Sequence, residues 1–203
     1  MKIETIEIAG LAGALTALRL PFGKEARSDI KVNLFSSMKQ MDIDVKQIGS
    51  EYQARFQLLP HIESNTDILI DAKDITLMAT LVKRGDEHAK VVRGILVWAK
   101  ITAPVYWWCE AETYRAGHER LSSESTMHVD CKGLSGEELV KAKADIPMGK
   151  ELTKVDFFSY QALRNIVRQR YNHRLPEWHQ FVDWVKTLPL AEELIFVGLN
   201  LEE

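Results

Sequence analysis

The 203-residue sequence has two cysteines, six prolines and no long uninterrupted apolar run. Cys109 and Cys131 are too few and too far apart for a disulfide framework or a four-ligand zinc site, which points to a reducing, cytoplasmic setting. No apolar window approaches the roughly 20 residues that span a bilayer. The opening MKIETIEIAG places glutamates where an export signal needs an apolar stretch. The expectation is a protein neither membrane-bound nor exported. A basic surplus is also missing, since 26 Lys and Arg face 29 Asp and Glu. Duplex binding normally needs excess positive charge to displace counterions, so no nucleic-acid partner is expected and any bound phosphate should be small and local. Repeats and low-complexity tracts are absent from the sequence as well. What is present is a globular composition, 46% hydrophobic and 27% charged, at a length that fits one domain over residues 1–203.

Ile3, Ile6 and Ile8 among charges suggest a first strand, and LAGALTALRL after Gly10 has the content of a helix ended by Pro21 and Gly23. The stretch 30–57 keeps neither helical nor strand period and reads as short strands and turns. From Asp74, Ile75, Leu77, Met78, Leu81 and Val82 make an amphipathic helix stopped at Gly85. Ile95, Val97, Ala99 and Ile101 alternate as in a strand. Thr102 is placed to cap the next helix, with Pro104 in its first turn and Gly117 at its end. ERLSSESTMH then reads as a serine-rich loop, and a short helix covers about Glu137 to Lys143. Two further helices are expected, from Tyr160 to Arg170 and from Pro176 onward, the second burying Trp178, Phe181, Val182, Val185 and Leu188. Strands and helices therefore share an α+β core with a mixed or antiparallel sheet.

Chemistry concentrates in two places. WWCEAETYRAGHERLSSESTMH, residues 107–128, collects glutamates, arginines, histidines and serines behind an aromatic pair. Its serines lack the glycines of a nucleophile elbow, so a surface loop is the simpler reading. Trp107 and Trp108 suit a core or interface, or a platform for a flat ring. Arg170 extends the line of Leu163, Ile166 and Val167. A guanidinium leaving water needs a carboxylate or phosphate partner; otherwise it snorkels from the helix end. His173 and His179, with Pro176 between them, do not share a helical face, and no metal site is expected.

The order of RGDEH, KITAP, the 113–115 triplet, a serine and a later asparagine–arginine helix resembles the flavin-dependent thymidylate synthases, ThyX. Residues 74–128 and 142–173 carry the likeness. The family's first histidine falls on His88, and its Arg-His-Arg triplet on Thr113, Tyr114 and Arg115. Its serine falls on Ser125, after nine intervening residues, two more than in the family pattern. In the second block Ile146 and Pro147 fill a Leu-Pro step. Lys143 stands at its preceding arginine, Ser159 and Asn165 at two asparagines, and Arg170 at the phosphate-holding arginine. Thr113, Tyr114 and Met127 depart from charged or titratable family groups, Ala89 and Lys90 from a hydroxyl–proline pair, and Arg93 from a glutamate.

The resemblance implies a ThyX-like fold assembled as a homotetramer, with active sites where subunits meet. It implies FAD as cofactor, deoxyuridylate (dUMP) as substrate, methylenetetrahydrofolate as one-carbon donor and NADPH as reductant, giving C5 methylation of dUMP to dTMP. Glu124, Ser125, Lys143 and Arg170 would bind the nucleotide. His88, Thr113, Tyr114, Arg115 and Asn165 would bind the flavin, with stacking from Tyr114 or Trp108. No catalytic residue is assigned. Altered one-carbon chemistry, nucleotide binding without catalysis, and an oligomerising scaffold with coincidental spacing remain alternatives.

Overall fold

The computed structural model describes residues 1–22, 31–35, 45–48, 51–56 and 65–201. Its first sheet is antiparallel, in the order β1 (Lys2–Ala9), β6 (Leu96–Pro104), β8 (Glu151–Ser159), β7 (His118–Ser123). A second antiparallel sheet has the order β2 (Lys31–Phe35), β5 (Asn65–Asp71), β4 (Glu51–Phe56), β3 (Val45–Ile48). The expectation of short strands in 30–57 thus holds for 31–35, 45–48 and 51–56, and the rest of that stretch lies outside the described residues. β5 had no counterpart in the sequence reading.

The central strand β6 shows why the first sheet forms. Val97, Ala99, Ile101 and Ala103 are fully buried on one face, while Trp98, Lys100 and Thr102 point to the other. That period of two fixes the register, because a one-residue slip would turn all four apolar groups outward. β6 pairs on one side with β1, from Lys2 opposite Thr102 to Ala9 opposite Leu96, and on the other with β8. β8 in turn holds the edge strand β7.

Helices α1 (Leu11–Arg19) and α2 (Ala72–Lys83) bury Leu11, Leu15, Ile75, Met78 and Val82 in the common core. Gly10 begins α1 with φ 89°, and a β-carbon there would sit 1.9 Å from the Gly94 carbonyl oxygen. Only glycine fits that contact. α3 is short (Val105–Ala111) and starts from Pro104 in extended conformation with no side-chain cap. Thr102 does not cap it: the residue lies in β6, where its hydroxyl meets that of Thr153 across the strands at 2.9 Å. Gly117 does not close α3 either, because the helix stops at Ala111.

α6 spans Tyr160–Arg170, the bounds expected from the sequence, and α7 spans Pro176–Lys186. Ser159 caps α6 by accepting from the Ala162 amide at 3.1 Å. The apolar faces of α6 and α7 close over the sheet with Trp107, Trp108, Phe158, Trp178, Phe181 and Trp184 in one aromatic cluster. Arg164 is also buried in α6, and its Nη1 donates to the carbonyls of Ile195 and Val197 at 2.7 and 2.8 Å, tying down the carboxyl-terminal π-helical turn Glu192–Phe196. Among the described residues no helix is long and apolar enough to cross a membrane.

Candidate functional site

The segment read as a serine-rich loop is instead the edge strand β7 followed by a one-turn helix, α4 (Thr126–Val129). A bulge between Arg120 and Ser122 and the mostly exposed face of an edge strand remove the apolar alternation that marks a strand in sequence. Glu124 pins the strand end to β8: its amide donates to the Thr153 carbonyl at 2.8 Å, and its Oε2 accepts from the Thr153 amide at 3.1 Å. Ser125 and Thr126 follow, both half-buried. Lys143, on α5 (Gly136–Ala144), donates from Nζ to the Thr126 hydroxyl. The Ser125 side chain makes no capping bond to α4. Glu124, Ser125 and Lys143 therefore come together, and Thr126, which the sequence reading did not single out, joins them. An ammonium beside the Thr126 hydroxyl, with Ser125 next to it in the chain, is a donor set suited to phosphoryl oxygens.

Arg170 belongs to a different cluster. Its Nη1 donates to Glu110 Oε2 at 3.0 Å and its Nε to the Tyr114 hydroxyl at 2.7 Å. The guanidinium also lies 4.9 Å from the Trp178 ring centroid. Glu110 Oε2 takes a further bond from Trp178 Nε1 at 2.9 Å and stands 3.4 Å from His173 Nε2. The desolvation need expected for Arg170 is met here by a carboxylate and two aromatic faces. Thr113 turns back on α3, its hydroxyl donating to the Glu110 carbonyl at 2.7 Å, and Tyr114 packs on Trp178 edge to face. Arg115 is exposed. Asn165 lies half-buried on α6 and accepts from Arg168 at 3.4 Å, while His88 is half exposed beside Glu87. The five flavin candidates thus occupy three separate places on the chain. Trp107 and Trp108 are 1% and 2% exposed, which removes the reading of Trp108 as a stacking platform: both rings serve the core. Among the described residues no group of three or more metal-ligating side chains occurs.

A buried ionic network between α3, β7 and β8 was not visible in the sequence. Asp156 is fully buried and accepts from His118 Nε2 at 2.8 Å and from Arg120 Nε at 3.1 Å. His118 Nδ1 faces the Tyr114 carbonyl at 2.7 Å, which can only accept, so both ring nitrogens face acceptors. Arg120 and Lys154 converge on Glu112 Oε1 at 2.6 and 2.9 Å. The Lys154 hydrogen bond, with that of Arg120, holds the Glu112 carboxyl below its usual range despite partial burial. Both cations also lie against the Trp108 ring, Lys154 Nζ 4.5 Å and the Arg120 guanidinium 5.0 Å from its centroid. The only sequence trace is the spacing of two, Lys154 with Asp156 and His118 with Arg120, which puts each pair on one face of its strand.

No family model and no curated protein matches the sequence. Solved structures do. A flavin-dependent thymidylate synthase ThyX from Helicobacter pylori, complexed with FAD and dUMP, aligns with a TM-score of 0.63 at 12% identity over 98% of this chain and 99% of its own. A second structure of ThyX from the same organism, with FAD and dUMP, aligns with a TM-score of 0.64 at 12% identity over the whole of both chains. This chain has the ThyX fold. At that identity the likeness is one of backbone fold alone. It agrees with the α+β class and the family resemblance read from residues 74–128 and 142–173.

Proposed function

We propose that this protein binds a pyrimidine deoxynucleotide through Ser125, Thr126 and Lys143, as a ThyX-like, FAD-dependent C5-methylating enzyme or a descendant of one. The observation that carries the reading is the assembly of that hydroxyl–ammonium set on a chain whose fold matches, over its full length, proteins complexed with FAD and dUMP. That full-length match also supports residues 1–203 as one ThyX-like unit. In the reading, Lys143 and the hydroxyls neutralise and orient the substrate phosphate, and Glu124 holds their strand in place.

The flavin candidates His88, Thr113, Tyr114, Arg115 and Asn165 come from three separate segments of the chain. A shared site between copies answers that dispersion. Leu121, Met127, Val129, Leu134, Val140 and Met148 are large, exposed apolar groups surrounding the phosphate set in sequence. Contiguous exposed apolar surface commonly marks an association site, which favours a homotetramer with sites at its interfaces. Methylenetetrahydrofolate and NADPH are the co-substrates this chemistry would use, in the cytoplasm.

One observation favours the alternative of nucleotide binding with altered or lost chemistry. Arg170, expected to hold phosphate, is already paired with Glu110, and Thr113, Tyr114 and Met127 are uncharged where the family pattern is charged or titratable. The test is to titrate dUMP and FAD separately while following thermal unfolding and flavin absorbance. Stabilisation by dUMP in the wild type but not in Lys143→Ala is expected, since a ligand of the folded state raises its stability. A flavin signal with turnover supports the enzyme, dUMP binding without turnover under any donor supports the alternative, and indifference to both ligands overturns the proposal.

A further inference from the structure

At the carboxyl-terminal end of α6 a cavity of about 410 Å³ opens between the helix, the turn after it and the chain near Asn200. Its volume falls in the range of small-molecule sites, roughly 300–1,000 Å³. Arg168, Tyr171, Asn172, His173, Arg174 and Asn200 line it. Arg168, Tyr171 and Asn172 are spaced i, i+3, i+4, so they share one face of the helix and its continuation. Arg170 lies about 200° around the axis from Arg168, on the side of Glu110 and Tyr114. This cavity therefore adjoins the Arg170 cluster and shares no lining residue with the Ser125, Thr126 and Lys143 set. Gln169 and His173 border both the cavity and the Arg170 cluster: Gln169 Oε1 accepts from the Tyr114 hydroxyl at 3.2 Å, and the His173 ring is already engaged, Nε2 towards Glu110 at 3.4 Å and Nδ1 accepting from the Leu175 amide at 3.2 Å.

Among the described residues the charge lining this cavity is one-sided. None of its lining residues is acidic, and among the described residues neither Arg168 nor Arg174 has a carboxylate partner. The one hydrogen bond from the Arg168 side chain is a long one, 3.4 Å to Asn165 Oδ1. One turn earlier stands Arg164, buried and bonded only to backbone carbonyls. Burial holds Arg164 below the ordinary arginine value; Asp86 pulls the other way, and the Arg168 charge adds to the drop. Two like charges one turn apart, with a third at the cavity mouth, are relieved by an anion that bridges Arg168 and Arg174.

We propose that this cavity binds a phosphorylated small molecule, with Arg168 and Arg174 forking its phosphoryl oxygens and Asn200 and Tyr171 lining the space for its polar body. Two planar guanidinium donors match a group carrying nearly two negative charges at neutral pH better than a single carboxylate does. The volume leaves room for more than a bare phosphate. The site is independent of the Ser125, Thr126 and Lys143 set, and its occupancy does not require that set to work.

Isothermal titration of the full chain at low salt tests the proposal, with inorganic pyrophosphate and ribose 5-phosphate as separate probes. Wild-type protein should bind at least one probe. The Arg168→Ala, Arg174→Ala double variant should bind it about a hundredfold more weakly, the loss of two charge-assisted contacts. Lys143→Ala should bind it like the wild type, which separates this site from the proposed substrate site. Both arginines are exposed, so the double variant should unfold at the wild-type temperature, and a melting curve verifies this. Preference for ribose 5-phosphate supports a ligand with an organic body, and preference for pyrophosphate a polyphosphate. Binding of neither probe by wild type, equal binding by the double variant, or loss confined to Lys143→Ala overturns it.

Discussion

One arginine and one lysine of this protein meet the same electrostatic requirement in opposite ways. Arg170, between α3 and α7, is matched by Glu110 and wrapped by Tyr114 and Trp178. Lys143, half-buried on α5, meets only the hydroxyl of Thr126 among the contacts described. The first is a cation neutralised by its own chain, and the second is a cation with charge to offer. The family resemblance implies that both hold substrate, but Arg170 already has a carboxylate partner, which is why the proposed function gives the phosphate to Lys143.

The comparison can be broken first at its most buried point. Asp156→Ala strands His118 and Arg120 without their shared carboxylate and should cost about 3–5 kcal/mol in urea unfolding, as loss of one partner of a buried ionic network does. A loss below about 1 kcal/mol would mean that the network is not what holds β7 to β8. Next comes Lys143→Ala, which should leave unfolding within about 0.5 kcal/mol of wild type while weakening dUMP about tenfold, the effect of one charge-assisted contact. Unchanged dUMP affinity would return the phosphate role to Arg170. Glu110→Gln sharpens the same contrast. It should cost about 1 kcal/mol of stability, and, if release of Arg170 recruits it to phosphate, raise dUMP affinity a few-fold.

The smallest effect concerns pH. The folded Glu112 carboxyl is lowered, chiefly by Lys154 and then Arg120. A lowered folded value contributes stability that is present above the unfolded glutamate value of about 4.3 and is lost as pH falls through the folded one. Glu112→Gln should therefore flatten the acid side of the stability profile below about pH 5. Because the Glu112 side chain is half exposed, solvent screening keeps the change at pH 7 to about 0.5 kcal/mol or less. Identical acid limbs in the two proteins would place the acid sensitivity elsewhere.

Much of the fold could be read from apolar period and helix boundaries. Val97, Ala99 and Ile101 announced β6, and Leu163, Ile166 and Val167 announced α6 with its observed ends. These signals are local, since each residue's neighbours in sequence set its face. β7 escaped notice because an edge strand has one ladder partner and little apolar alternation, and its bulge shifts the phase midway. The Thr102 cap was misplaced for a related reason: β6 runs on through Pro104, where β8 supplies the pairing that no local rule anticipates. Within the candidate site, the family resemblance points to Ser125 and Lys143 but not to Thr126, because 17 residues separate it from Lys143. Glu110 was passed over as one glutamate among several in a polar segment.

By itself the sequence determined which residues face the core and where the main helices run. It also carried spacings that resemble one flavoenzyme family, because hydrophobic period and chain length act between near neighbours. Only the tertiary structure decided which charges are already neutralised. Glu110 reaches Arg170 across 60 residues and Asp156 reaches His118 across 38. Electrostatic partnership falls with distance in space rather than along the chain, so it becomes visible only when the chain is folded.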